Sequence, residues 1–380
     1  MAEFLVQHDQ TSVVVAGSTA SITAVRSLSR AFAMMSNNRS MSGGPPASAT
    51  TQASDDMALA VELTAVGTLT YSRVAASSTN PMLAEASVVE YLGDPGGPNE
   101  FIVRSRVAVN INTAVTSKTG TLTGVVDIDK CIPFITGIKS ESSTAGGARA
   151  TAYAIVDSTT QITVYVGGSA SRVSVQVVVV EFTGSAWSVG HGLLASTTAD
   201  SGTIALVAEA DGDAAGTSFD VGDWATACIF GQHRGDVASD ANQAIADNYP
   251  IYYPGAGTTD VDFLFHADHD GVTNIQVVHV LQHADMAVQR MSSTASHTGV
   301  SDVAIPTAIS SVDEAFVIIS RTTSGTGTAY GRGWVCARLT STTNVEMYCH
   351  RNGVTIATRI QVVDLSGIVA AAAVRRIFIV

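Results

Sequence analysis

Apolar and polar residues alternate with a period of two along much of the chain. Over residues 343–351, Val345, Met347 and Cys349 fall on one side and Glu346, Tyr348 and His350 on the other. That is the pattern of a strand with one face on a core. Similar runs rich in Val, Ile and Thr recur from end to end, broken by short Gly-, Ser- and Asn-rich turns such as Thr323–Thr326 and Arg351–Gly353. In the last quarter the pattern predicts strands near 313–322, 328–340, 343–351 and 354–365. Good helix formers such as Lys, Glu and Leu are sparse, so the chain reads as all-β.

The pattern is written four times. TTNVEMYCH (342–350) matches TTDVDFLFH (258–266), and Lys130–Phe182 aligns without a gap to Asp313–Leu365, pairing Tyr165 with Tyr348. VRSLSRAFAMMS (25–36) matches ISSVDEAFVIIS (309–320). A valine-pair landmark recurs at 89, 180, 278 and 363, a spacing of roughly 90 residues, which is a small domain rather than a propeller blade or solenoid rung. The expected architecture is therefore four tandem antiparallel β-sandwich modules. Their boundaries read as 1–97 with a loop insertion at 36–56, 98–193, 194–291 with the longest insertion, and 292–380 with an added C-terminal strand. YLGDPGGPNE (91–100) is the clearest linker, and MSSTASHTG (291–299) marks another boundary.

Composition narrows the function classes. Net charge is −13, and the only lysines are Lys118, Lys130 and Lys139. No basic stripe is present to neutralise phosphates, so nucleic-acid binding is not expected. The apolar segment IVAAAAVRRIFIV is interrupted by Arg375 and Arg376 and is too short to span a bilayer, so no membrane insertion is expected. MAEFLVQHDQ lacks the basic and apolar regions of a secretory signal. Cys131, Cys228, Cys336 and Cys349 have no metal-ligand spacing; Cys336 and Cys349 could meet across neighbouring strands, but buried thiols are the simpler reading.

Candidate chemistry is thin. The stretch HADHDG concentrates His266, Asp268, His269 and Asp270, with His279 or His283 on the following strand, and these could form a metal site. The same hairpin is GGSAS in the second copy and HRNG in the fourth, so its frame is structural and the extra ligands are local decoration. Asp211 and Asp213 in ADGDAAG lack the distal Glu of a calcium loop. Asp127 and Asp129 alternate with apolar residues and read as a solvated strand face. Trp187, Trp224 and Trp334 read as packing residues. The densest aromatic cluster is NYPIYY, where Tyr249, Tyr252 and Tyr253 are the candidate receptor or glycan contacts. No nucleophile elbow or phosphate loop is present, and neither an enzyme activity nor a cofactor is expected.

The Ala-Phe-x-x-x-Ser openings within Ser29–Ser36 and Val312–Ser320, with Val-Val-Glu/Asp-apolar endings such as Val88–Tyr91 and Val362–Leu365, resemble the tandem β-domain virion proteins of tailed bacteriophages. That resemblance implies a non-enzymatic fibre, collar or head-decoration subunit, made in the host cytoplasm and carried on the virion. Its partners would be other virion proteins and copies of itself. Two alternatives compete: a host-surface glycan- or receptor-binding adhesin, and a metal-dependent hydrolase built on His266, His269 and Asp270. The terminal strand Ile377, Phe378, Ile379 and Val380 has no counterpart after the earlier copies, and is expected to pair with its own sheet or with a neighbour's edge.

Overall fold

The computed structural model describes residues 2–13, 18–36, 41–42, 59–73, 82–140, 151–167, 172–213, 215–235, 250–265, 273–295, 299–323, 335–349 and 356–369. Among the described residues the regular elements are strands and short 3-10 turns, so the protein is all-β. No helix among them is long and apolar enough to cross a membrane.

The strands fall into four sets. The first comprises β1 (Phe4–Val13), β2 (Ser18–Ser21), β3 (Ala31–Met35), β4 (Met41–Ser42), β5 (Leu59–Ala65), β6 (Thr68–Arg73) and β7 (Met82–Tyr91). The second comprises β8 (Ile102–Ile111), β9 (Ser117–Thr121), β10 (Cys131–Ser140), β11 (Ala152–Ser158), β12 (Gln161–Val166) and β13 (Val173–Glu181). Next come β14 (Trp187–Thr197), β15 (Ser201–Ala205), β16 (Ala227–Gly235), β17 (Ile251–Pro254), β18 (Asp260–Leu264) and β19 (Asn274–His283). The last set is β20 (Ala287–Ala295), β21 (Gly299–Ala304), β22 (Ala315–Thr323), β23 (Val335–Ser341), β24 (Asn344–Cys349) and β25 (Ile356–Asp364).

Each set pairs in the same antiparallel order. One sheet has the set's last strand at its centre: β1-β7-β3, β8-β13-β10, β14-β19-β16 and β20-β25-β22, with β4 added to β7 in the first. The other has the penultimate strand at its centre: β2-β6-β5, β9-β12-β11, β15-β18-β17 and β21-β24-β23. Between the two sheets of every set lies an apolar core. In the first it includes Val13, Ala31, Ala33, Met35, Val61, Leu69 and Val88, and equivalent cores fill the second, fourth and third sets.

The first kind of sheet is buried on both faces. That explains why parts of its central strands and of the strands after the 3-10 turns read as continuous apolar runs rather than as alternation. All five residues of AFAMM in β3 are buried, and VVVVE closes β13 with five buried residues. A 3-10 turn precedes β3, β10, β16 and β22, at Leu28–Arg30, Ile128–Lys130, Trp224–Thr226 and Val312–Glu314. A Ser or Asp side chain caps each turn (Ser27, Asp127, Asp223, Ser311) by accepting the backbone N–H two residues on.

Several expectations need correction. The segment 291–299 is not simply a boundary: β20 runs through 291/292 and pairs with β25. Likewise β14 runs through 193/194. Strand pairing therefore puts the last two junctions in the short connections 182–186 and 284–286, ahead of the boundaries read from sequence. The polar ends of the edge strands β14 and β20 lack the apolar signal that would mark them as strand, so the sequence boundaries fall inside them. The valine landmark of the third copy is also displaced. Val89, Val180, Leu281 and Val363 lie opposite Phe32, Ile132, Cys228 and Phe316, so the equivalent residue is Leu281, three places beyond Val278. The gapless match of Lys130–Phe182 slips by one residue at the start of β10, where Cys131 is equivalent to Ala315. Asp127 and Asp129 lie on the 3-10 turn and not on a strand. In the last set, β23 begins at Val335, residues 324–334 lying outside the described ones, and Cys336 faces Tyr348 while Cys349 faces Val335.

Two sheets continue from one set into the next. β10 meets β5 through Gly137 and Ala60, and β11 meets β16 through Ala152 and His233, making two six-stranded sheets. At the first joint the backbones are so close that a Cβ on Gly137 would stand 2.1 Å from the Ala60 Cα and 2.4 Å from the Leu59 carbonyl oxygen. Those neighbours are backbone and cannot step aside. Gly137→Ala is therefore expected to destabilise the protein by about 1–3 kcal/mol in denaturant unfolding, whereas a Cβ on Gly67, with only ordinary contacts nearby, should change stability by no more than about 0.5 kcal/mol.

Candidate functional site

The second buried face of each first-kind sheet points to a core shared by all four modules. Equivalent positions supply it in tiers. Phe4, Phe101, Trp187 and Met286 stand at or just before the start of the four opening strands, and Val6, Val103, Val189 and Val288 follow two residues on. Phe32, Ile132, Cys228 and Phe316, then Met34, Phe134, Phe230 and Ile318, come from the strands after the 3-10 turns. Aromatic contacts run across module boundaries: Phe32 stacks on Phe134 at 4.9 Å between centroids, Phe134 meets Phe230 edge-on at 4.9 Å, and Phe4 meets Trp187 edge-on at 5.9 Å.

Two rings of polar contacts surround this core. The first uses one position on the opening strand of each module, occupied by His8, Arg106, His191 and Arg290. Each reaches a main-chain carbonyl at the 3-10 turn of the preceding module. Arg106 donates to the carbonyls of Leu28 (2.8 Å) and Ala31 (2.7 Å), and Arg290 to those of Trp224 (2.6 Å) and Ala227. His191 Nε2 lies 3.1 Å from the Asp129 carbonyl. His8 Nε2 lies 3.0 Å from the Val312 carbonyl, so the first module leans on the fourth as each other module leans on its predecessor. The modules form a closed ring.

The second ring uses Ser36, Gln232 and Ser320, at the far ends of the strands that follow the 3-10 turns; the equivalent Thr136 hydroxyl makes no such bond among the described residues. The Ala154 N–H donates to Gln232 Oε1 (2.9 Å), Tyr252 N–H to Ser320 Oγ (3.1 Å), and Ala337 N–H to Ser36 Oγ (3.2 Å). Each bond joins the fourth or equivalent strand of one module to the next module round the ring, and the last again closes the fourth on the first. Ala2 also bridges Val369. At the joint between the first and second modules the direct Gly137–Ala60 contact takes this role.

Where these strands converge there is a cavity of about 100 Å³, lined by residues that include Met34, Ser36, Phe134, Phe230, Gln232, Tyr252, Ser320 and Gln361. Its polar groups are engaged by the framework. Gln232 Nε2 donates to the Pro133 carbonyl at 2.6 Å while its Oε1 accepts from Ala154. Gln361 brackets Ile229, accepting its N–H at 3.0 Å and donating to its carbonyl at 2.8 Å. The Tyr252 hydroxyl lies within 3.0 Å of the Gln232 carbonyl and donates to Gln276 Oε1 at 2.6 Å. Gly231 makes room for this ring, since a Cβ there would lie 2.1 Å from the tyrosine.

Electrostatics disfavours nucleophilic chemistry at these groups. Burial pushes the Cys228 thiol up to about 12 and the Cys131 thiol above its ordinary value, leaving both as thiols. Burial also drives the Tyr252 phenol well up. His191, His279 and His283 are all held below the ordinary imidazole range, burial being the main cause. Glu85, beside Gln10 and 4.0 Å from Arg338 at the joint between the fourth and first modules, is pushed up to about 7 by burial.

The candidates drawn from sequence are dispersed. His266, Asp268, His269 and Asp270 lie outside the described residues, as do Tyr249, Trp334 and Ile377, Phe378, Ile379 and Val380. Among the described residues no group of three or more His, Cys, Asp and Glu side chains is placed to hold a metal ion. His279 is bonded to His191, and His283 to Asn99. Asp211 and Asp213 cap successive exposed turns through the N–H groups of Asp213 and Ala215. Tyr252 is on β17 with 5% of its surface exposed, not on a surface loop; Tyr253 is half-buried beneath the Arg359 guanidinium, 5.8 Å from its ring centre. Trp187 packs in the shared core, and Trp224 sits on a 3-10 turn under Arg290.

The residues that matter most to the ring, His8, Arg106, His191 and Arg290, were not singled out from sequence. A signal was present: Val-x-His at 6–8 and 189–191, Val-x-Arg at 288–290, and Val103 to Arg106 with one bulge residue more. No family model matches the sequence, and no curated protein matches it.

Gln232 provides a direct check of the framework role. Gln232→Leu keeps the volume but leaves the buried Ala154 N–H and Pro133 carbonyl without that partner. A loss of about 1–3 kcal/mol is expected in chemical denaturation. The same change at the partly buried Gln289, whose bonds to Thr307 lie in exposed surroundings, is expected to cost no more than about 0.5 kcal/mol.

Proposed function

We propose that the chain is a non-enzymatic structural subunit, a rigid four-module block of the kind used as fibre, collar or head-decoration protein in tailed-bacteriophage virions. The single observation that carries the reading is the use of the buried polar side chains. Gln232, Gln361, His191, Arg106 and Arg290 bond to main-chain groups of neighbouring modules, leaving them little capacity for a substrate. A site built for catalysis instead keeps titratable groups poised near neutrality and open to a ligand.

The adhesin reading has less support. Tyr252 is enclosed, and Tyr253 is already covered on one face by Arg359. Glycan-stacking platforms need open aromatic faces. The architecture fits a load-bearing role better, since each module is held at both flanks.

Cryo-electron microscopy of purified particles from the producing cells, with the chain carrying an affinity label, tests the proposal. Labelled density at symmetry-related positions is the expected outcome. Recovery of the chain only in the particle-free fraction would contradict it, as would specific retention on a glycan array by a chain that never joins particles.

A further inference from the structure

We infer that the joint between the second and third modules is an acid-sensitive hinge, closed by a pair of neutral imidazoles that cannot both be kept when a further proton arrives. The ring itself provides the comparison. At the four equivalent joints the opening-strand residue faces a partner on the central strand of its own sheet. The pairs are His8 with Ser87, Arg106 with Val178, His191 with His279, and Arg290 with Gln361. Two joints use a permanent cation. His8 Nδ1 meets the Ser87 hydroxyl at 3.1 Å, and a hydroxyl can accept from a charged imidazole as readily as it donates to a neutral one. Only at His191 does the arrangement exclude a positive charge.

The hydrogen bonds determine where the protons are. A carbonyl oxygen only accepts, so His191 carries its hydrogen on Nε2, toward Asp129, and its Nδ1 is a lone pair. His279 Nδ1 lies 2.9 Å from that nitrogen and must donate to it. His279 Nε2 is then a bare acceptor, buried, with no hydrogen-bond partner among the described residues. A second proton has two destinations. On His279 Nε2 it creates a buried cation with no acceptor; on His191 Nδ1 it sets two N–H groups head to head. The first destination keeps the contact but buries an uncompensated charge, and the second breaks it, so either weakens the joint.

The surrounding charges do not offset this. His191 faces Asp129 from the 3-10 turn before β10, Glu209 and Asp211 from the loop after β15, and His279 from β19; the carboxylates favour its charged form but burial outweighs them. Phe230 lies opposite His279 on β16, and His191 is the titratable group acting on it. An imidazole held below its unfolded value of about 6.5 contributes stability that is complete above that pH and is lost as pH falls through it toward the folded value. His283 has the same sign, with Asp285 and Glu3 nearby. Glu85 has the opposite sign, its contribution being lost as pH rises from about 4.5 through about 7.

The test imports pairs from the other joints. His279→Ser recreates the pair of the first module, and the double variant His191→Arg with His279→Gln that of the fourth. Both leave His283 and Glu85 untouched, so these cancel in the comparison. Between pH 7.5 and pH 5 the unfolding temperature of the unaltered chain should fall by roughly 3–6 °C more than that of either variant. Amide exchange of the unaltered chain at pH 5, corrected for intrinsic rates, should rise at least about tenfold in β14 and β16, while β22 and β24 stay protected. Equal pH slopes in the unaltered chain and a folded variant would overturn the inference. So would exchange that rises uniformly over all four modules, a result that needs no variant to fold.

Discussion

Burial of one sheet per module on both faces is the constraint from which the rest follows. A sandwich ordinarily buries the facing surfaces of its sheets and leaves the outer surfaces to water. Here β7, β13, β19 and β25, with the strands beside them, have apolar side chains on both sides. An apolar outer surface on each of four modules must be covered, and the four cover one another. Dispersion and water exclusion in that shared core act on all the modules at once. No module removed from the ring could keep its outer face dry.

Closing four modules around a core places main-chain groups of one against side chains of the next, in surroundings where an unpaired polar group is costly. The repeat solves this with one device used with different residues. His8, Arg106, His191 and Arg290 all satisfy carbonyls of the preceding 3-10 turn. Ser36, Gln232 and Ser320 all accept an N–H from the neighbouring module. Variation at these positions changes the chemistry of a joint without changing its geometry. Two long cations, an imidazole against a hydroxyl and an imidazole against an imidazole hold one architecture while differing in their response to protons.

Much of this architecture was legible in the amino-acid sequence, and the misses have physical causes. The Ala-Phe-x-x-x-Ser match of residues 31–36 with 315–320 is correct in register, because both faces of those strands are constrained and little freedom is left. The third copy's landmark was displaced to Val278 because Val277, Val278 and Val280 are equally apolar, and only the pairing with β16 shows that Leu281 is the equivalent residue. The stretch MSSTASHTG reads as a boundary because it is polar, yet Met291–Ala295 belong to β20, whose partner strand β25 is distant in the chain. Residues important to the site were passed over for a different reason. A lone His or Arg within an apolar strand resembles an interruption, and its meaning lies in a carbonyl of another module. Tyr252, conversely, was read as a contact residue from the company of other tyrosines, and its burial depends on Gly231 opening a slot more than twenty residues earlier.

Differential scanning calorimetry of the intact chain at neutral pH addresses the shared core most directly. One transition whose calorimetric and van't Hoff enthalpies agree is the predicted result, because the outer face of each module is stable only while the others cover it. Several separable transitions, or a van't Hoff enthalpy near a quarter of the calorimetric value, would mean that the modules unfold as independent sandwiches and that the ring does not act as a unit.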